Sequence, residues 1–241
     1  MNIIIVKDNQ EAGEIAAEMI AEKISKNPKL VLGLATGSTP VSTYETLIKM
    51  YKNKKVDFSQ VKSFNLDEYK DLQPTHEQSY RYFMNTKLFD HININHNWTF
   101  VPSGTDTKNP ETYDLEIEKA GGIDLQLLGL GVNGHIGFNE PGTKFDSKTA
   151  VVDLTPSTIQ INARFFDSPA EVPTQAVSMG LASIMNSKEI ILIATGANKA
   201  EAIYHLVHGK VSEQWPCSIL QNHENVTIIV DQEAAKLLES N

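Results

Sequence analysis

The chain has 241 residues, of which 41% are hydrophobic and 21% charged, an ordinary globular composition that supplies a sizeable core. A formal net charge of −9 argues against binding to nucleic acid or an anionic membrane, though not against an anion site where cations and N–H donors converge locally. No apolar run approaches the roughly 18 residues of a membrane span. The start, "MNIIIVKDNQEAGEIA", carries neither the basic n-region nor the cleavage site of a signal peptide. The single cysteine, Cys217, excludes an internal disulfide, and a cytoplasmic location is expected. One cysteine and scattered histidines give no zinc-ligand spacing, so no metal is expected.

Short β-type runs alternate with helical patterns along the chain. "NIIIV" is the first expected strand, and "DNQEAGEIAAEMIAEKISKNP" has apolar residues at helical spacing, with Asp8 or Asn9 as cap and Pro28 beyond its end. "KLVLGLA" is a strand leading into "TGSTP", then "VSTYETLIKMYKN" is helical and "VKSFNL" extended. Further strands are expected at "WTFV", "IDLQLLGL", "TAVVDL", "AVSMG", "EIILIAT" and "VTIIV". Helices are expected at "QSYRYFMNTKLF", "PETYDLEIEKA", "STIQINARFF", "LASIMN", "NKAEAIYHLVHG" and "DQEAAKLLES". The alternation predicts one α/β domain over residues 1–241, a mostly parallel sheet covered on both faces in three α/β/α layers. Inserted loops are expected at roughly 70–80 and 139–175. In such a sheet ligands sit beyond the carboxyl ends of the strands, so polar residues directly after strands are the candidates for chemistry.

Four stretches meet that criterion. "LATGSTP" (Leu34 to Pro40) ends a strand and opens a helix. Its N–H groups and hydroxyls, with Gly37, Ser38 and Thr39, form an anion cradle, while a strand–helix turn with a Ser or Thr cap is the bland alternative. "SFNLDEY" puts Asp67 and Glu68 at a strand's end. A half-buried carboxylate there has a raised pKa and can act as a general base, whereas an isolated acidic pair more often marks a solvated turn.

"GLGVNGHIGFNEPG" (Gly129 to Gly142) spends five glycines around His135. A turn can gather Asn133, His135 and Glu140, and a carboxylate beside a histidine sets its tautomer and raises its basicity. A lone loop histidine is the alternative. Finally, Arg164 in "NARFF" and Lys199 in "ATGANKAEA" are cations suited to a phosphate, or else a surface ion pair and a solvated first-turn lysine. His205 and His208 read as surface, and Cys217 as a packed thiol. Taken together, the stretches specify a pocket for a small phosphorylated molecule that undergoes proton transfer.

"LGLATGSTP", "FNLDEY", "GLGVNGHIGFNEPG", "NARFF" and "GANKA" closely resemble the glucosamine-6-phosphate deaminase (isomerase) family, in order and spacing over nearly the whole chain. The resemblance implies a Rossmann-like fold. It also implies conversion of glucosamine 6-phosphate and water to fructose 6-phosphate and ammonia, without metal or organic cofactor. It assigns ring opening to His135 with Asn133 and Glu140, carbon-2 deprotonation to Asp67, and the 6-phosphate to Gly37, Ser38, Thr39, Arg164 and Lys199.

Asn133 stands where some relatives carry aspartate. An amide cannot stabilise imidazolium with full charge, so His135 is expected to lean more on Glu140. The chain is shorter than relatives regulated by N-acetylglucosamine 6-phosphate, so that control is expected to be weak or absent in a monomer or homo-oligomer. A segment around 155–175 is expected to serve as a lid carrying Arg164. The rival readings are a 6-phosphogluconolactonase-type hydrolase, which shares the cradle but needs no carbon-acid base, and a non-catalytic sugar-phosphate sensor.

Overall fold

A computed structural model describes residues 1–238, apart from the side chains of Ile161, Phe165 and Pro169. In chain order its strands are β1 (Asn2–Val6), β2 (Val31–Leu34), β3 (Lys62–Asn65), β4 (Asp67–Tyr69), β5 (Thr99–Phe100), β6 (Leu125–Leu128), β7 (Ala150–Asp153), β8 (Gln175–Ser178), β9 (Ile190–Ala194) and β10 (Val226–Asp231). The α-helices are α1 (Asn9–Lys26), α2 (Val41–Lys52), α3 (Tyr80–Lys87), α4 (Thr112–Lys119), α5 (Pro156–Asn162), α6 (Leu181–Met185), α7 (Ala200–Val207) and α8 (Gln232–Ala235). The expected last helix is shorter than its sequence pattern, and Glu239 and Ser240 lie outside the described residues.

Seven strands form one parallel sheet in the order β1-β10-β9-β6-β2-β3-β5. Chain progression reverses between the neighbours β6 and β2, which creates a topological switch point and opens a crevice beyond their carboxyl ends. One face of the sheet packs on α1, α2 and α3. Ala12, Ala16, Ala17, Ile20 and Ile24 make the helical stripe of α1 and meet Leu32, Leu34, Leu125 and Leu127 of the sheet. The other face takes Ile184 of α6, Ile203 and Leu206 of α7 and Leu220 against Phe64, Leu128 and Leu192. Alternation along each strand therefore decides which layer a side chain joins. Each large aliphatic group fully removed from water contributes roughly 1.5–3 kcal/mol. Asp8 caps α1 by accepting the Glu11 N–H at 2.9 Å.

One expectation needs correction. The strands at 150–153 and 175–178 do not join the parallel sheet. They pair antiparallel with each other, and β8 pairs with a strand the sequence pattern does not reveal, β4, in a second sheet of order β4-β8-β7. Within the stretch 139–175 the expected strand and helix are present as β7 and α5. The physical reason for the second sheet is that Leu66 alone separates β3 from β4. The chain leaves the parallel sheet and at once enters the antiparallel one, tied there by the Met179 N–H, which donates to the Leu66 carbonyl at 2.8 Å.

Candidate active site

A cleft of ≈ 260 Å³ lies beyond the carboxyl ends of β2, β3, β6 and β9. Its walls include Gly37, Ser38, Thr39, Asp67, His135, Arg164 and Lys199. A larger groove of ≈ 650 Å³ runs between α4 and α6 at the opposite, amino-terminal end of the strands. It lacks a comparable convergence of a base, a histidine and cations, so chemistry rather than size selects the smaller cleft.

The turn after β2 has Gly37 at φ +88°, a conformation glycine adopts without steric cost. Helix α2 starts at Val41, and Pro40 occupies the cap position with no side-chain capping bond. Neither Ser38 nor Thr39 therefore acts as the cap that the bland reading supplied. Lys199 ends the 3-10 turn that precedes α7 and is half-buried, its ammonium donating to the Leu130 carbonyl at 2.6 Å. Burial lowers its pKa. That position differs from a solvated first-turn lysine. Arg164 lies in the 3-10 turn that continues α5.

Asp67 and Glu68 are both buried, not in a solvated turn. Successive side chains of a strand point to opposite faces, and here that separates their roles. Asp67 lines the cleft. Burial, helped by the Glu68 charge, pushes its carboxyl up to about 8. Glu68 instead accepts the N–H groups of Tyr69 at 2.8 Å, Tyr80 at 2.9 Å and Arg81 at 3.0 Å. It therefore holds the first turn of α3, where a carboxylate is favoured by unpaired N–H groups and the helix dipole. Burial raises its pKa against the pull of those donors.

The loop after β6 builds a relay. His135 Nδ1 lies 2.8 Å from Asn133 Oδ1 and 3.4 Å from Glu140 Oε2. Asn133 Nδ2 donates to Glu140 Oε2 at 2.7 Å. An ionised carboxylate only accepts, so Glu140 fixes which way the Asn133 amide points and turns its oxygen toward the ring. That arrangement makes Nδ1 the protonated nitrogen and leaves Nε2 with a free lone pair. Asn133 is the nearer partner of the ring, and Glu140 supplies the charge beside it, both directly at 3.4 Å and through the Asn133 amide. Neither Asn133 nor Glu140 lines the cleft.

Glu140 is buried, which opposes its charge. The His135 hydrogen bond and charge, with donors Thr158 and Asn133, outweigh burial and hold its pKa at about 2. Gly131 is required for close approach, because a Cβ there would fall 2.3 Å from the His135 ring.

The His135 loop and the Asp67 strand meet at Gly137, whose hypothetical Cβ would lie 3.1 Å from Ser178 Oγ and 3.8 Å from Asp67 Oδ2. Phe138 N–H donates to Ser178 Oγ at 3.1 Å, and Asn139 Nδ2 donates to the Met179 carbonyl at 2.8 Å. The second sheet thus sets one wall of the cleft against the other.

Sequence reading missed Thr155 and Thr158, which donate to Glu140 Oε1 at 3.3 and 2.7 Å, and the aromatic wall of Tyr80 and Phe138, whose rings stack with centroids 6.1 Å apart. The "LTPST" cap signature offered a clue to the threonines, though not to their acceptor. His205 is not a plain surface residue, since its ring stacks on Trp215 at 3.9 Å. Cys217 is buried, and burial pushes its thiol up to about 12.

Residues 8–229 match the family model of glucosamine-6-phosphate isomerases and 6-phosphogluconolactonases. The chain is 56% identical to a glucosamine-6-phosphate deaminase of Mycoplasma mycoides subsp. mycoides SC, over 99% of this chain and 98% of that protein. It superposes on a monomeric glucosamine-6-phosphate deaminase with a TM-score of 0.95 at 42% identity, covering 98% of this chain and all (100%) of the other. A 6-phosphogluconolactonase from Trypanosoma cruzi gives a TM-score of 0.77 at 20% identity, covering 99% and 97% of the two chains, which is likeness of fold alone. The chain belongs to the glucosamine-6-phosphate isomerase/6-phosphogluconolactonase family.

Proposed function

We propose that this chain converts glucosamine 6-phosphate and water to fructose 6-phosphate and ammonia. The observation that carries the proposal is that Asp67 and His135 reach one cleft from two different sheets, with Lys199, Arg164 and the Thr36–Thr39 turn on the same cleft. High identity to relatives that carry this activity supports it.

The phosphate is held by Gly37, Ser38, Thr39, Arg164 and Lys199, remote from the reacting carbons, and its binding energy fixes the reacting end. His135 Nε2 takes the proton of the carbon-1 hydroxyl and returns one to the ring oxygen, which opens the ring. The resulting aldehyde acidifies the carbon-2 hydrogen, and Asp67 removes it to form an enolamine. Proton return to carbon 1 leaves an imine at carbon 2, and water converts this to the ketone with release of ammonia. Every step is a proton transfer or an addition of water, chemistry that these side chains supply. Each acid–base group contributes about 10²–10⁴-fold.

A carboxylate tuned near neutrality suits abstraction from carbon better than one of ordinary acidity, since a base works best with a pKa near the working pH. Ester hydrolysis by a lactonase has no such carbon-acid step. Activity in a monomer is supported by the likeness to a glucosamine-6-phosphate deaminase described as monomeric. Segment 155–175 serves as the lid, and the enzyme works in the cytoplasm.

The test is to incubate purified protein with glucosamine 6-phosphate and follow ammonia and fructose 6-phosphate together, with Asp67→Asn as control. Equal release of both, lost in the variant, is expected. Hydrolysis of 6-phosphogluconolactone without ammonia release would transfer the assignment to the lactonase, and binding of the sugar phosphate without turnover of either substrate would leave a sensor.

A further inference from the structure

Glu140 serves two partners with its two oxygens. Oε2 faces Asn133 and His135, while Oε1 accepts Thr158 Oγ1 at 2.7 Å and Thr155 Oγ1 at 3.3 Å. Both threonines sit at the start of α5. Thr155 is its N-cap and accepts the Thr158 N–H, which ties the pair to the helix frame. Thr158 is buried and lines the cleft. Six residues on, the same helical segment carries Arg164 on the cleft, about 9 Å further along at 1.5 Å per residue. One short segment therefore carries a cation at one end and the donor to the relay's carboxylate at the other.

We propose that Thr158 is a positioning residue that couples the phosphate-binding segment to the His135 relay. The proposal rests on the deaminase reading given above. When phosphate on Arg164 seats α5, the Thr158 hydroxyl donates to Glu140 Oε1 and fixes the carboxylate plane. Oε2 then orients the Asn133 amide, and the amide fixes the His135 ring. A sugar lacking the phosphate leaves α5 unseated and the carboxylate free to turn. The remote phosphate then contributes to turnover as well as to binding, as expected when binding energy is used to assemble a reacting centre.

A double-mutant cycle on turnover tests this. Thr158→Val removes the hydroxyl at nearly constant shape, and Thr158→Ser restores it. Arg164→Gln weakens the phosphate seat. Expected for Thr158→Val is a kcat lower by about 10- to 100-fold, the worth of a hydrogen bond to a charged group, with KM changed by less than about threefold. Thr158→Ser should recover most of the loss.

In the Thr158→Val background, Arg164→Gln should no longer lower kcat by its usual factor, although it still raises KM. Separated sites without shared partners add, so additive effects on kcat would overturn the coupling. A wild-type kcat in Thr158→Val would overturn it as well, as would a loss that Thr158→Ser does not repair. Wild-type protein that releases no ammonia would instead remove the deaminase reading, and the coupling with it.

Discussion

Replacing Asp67 by Asn should abolish activity and make the protein more stable. The carboxyl is buried, with its pKa raised from 3.8 to about 8 by burial and by Glu68. A group whose folded pKa lies above its unfolded one contributes stability fully below the unfolded value, and that contribution disappears as pH rises through the folded value. For Asp67 the window runs from about pH 4 to about pH 8. Within it the folded state holds a proton that the unfolded chain has released, so stability falls by about 1.4 kcal/mol per pH unit. At pH 7 the accumulated cost is about 4 kcal/mol, a large part of the net stability of an ordinary domain.

Asn has nearly the same shape and never ionises. Its advantage over the parent should therefore be small near pH 4 and grow by about 3 kcal/mol between pH 5 and pH 7. Urea unfolding of both proteins at the two pH values reads this directly, because contacts altered equally at both pH values cancel in the difference. A gap that stays constant with pH would refute the argument, since it would mean that the carboxyl titrates alike in the folded and unfolded states.

Glu140 has the opposite sign. Its folded pKa of about 2 lies below the ordinary glutamate value of 4.5, so its stabilisation is present above 4.5 and is lost as pH falls toward 2, about 3 kcal/mol in all. Glu140→Gln should flatten the acid unfolding curve in that window, and an unchanged acid midpoint would count against it. Gly131→Ala should lower kcat by about 100-fold or more with phosphate affinity near that of the parent, because its Cβ would meet the His135 ring at 2.3 Å; undiminished turnover would show that the ring has another productive position. Glu68→Gln should move the acid limb of the kcat/KM profile to lower pH, because it removes the charge that helps raise Asp67; an unmoved limb would show that burial alone sets the basicity of Asp67.

The parallel sheet and the helices around it were legible because each buried strand is a short apolar run and each helix carries a 3.6-residue stripe. "EIILIAT" and "EIAAEMIAEKI" are the plain cases. Strand β4 was not legible. Asp67-Glu68-Tyr69 has no apolar alternation, and its extended form is imposed by pairing with β8, more than a hundred residues on. The nature of the acidic pair was hidden for the same reason: burial of two adjacent carboxylates depends on a helix start and a cleft wall that arrive from elsewhere in the chain. His135, Asn133 and Glu140 were legible as a group because they lie within one glycine-rich loop. Their order of contact was not, since a spacing of two and five residues does not say which oxygen reaches Nδ1. Thr158 was invisible as a partner of Glu140, because a serine or threonine near a helix start already has a sufficient local reason in capping.

The seam between the two sheets explains why the chemistry sits where it does. A parallel sheet alone presents turns and helix starts beyond its strands, which suffices to hold a phosphate. It does not by itself put a carboxylate in a dry wall facing a histidine. Leu66 makes that possible: one residue after β3 the chain is extended again, so Asp67 is fixed by the Ser178 pairing and not by a loop. Ser178 in turn accepts the Phe138 N–H from the loop that carries His135. Asp67 and His135 are thus set from a shared strand, β8, while the groups proposed to hold the phosphate come from the turns after β2 and β9 and from the end of α5. Such a division lets one wall exclude water from Asp67, which burial and the Glu68 charge together hold near neutral basicity, while the other wall stays open and polar enough to admit a charged sugar. A phosphate cradle of this kind can serve several reactions within the family. On the reaction proposed above, the buried carboxylate on β4 is what commits this cleft to taking a proton from carbon.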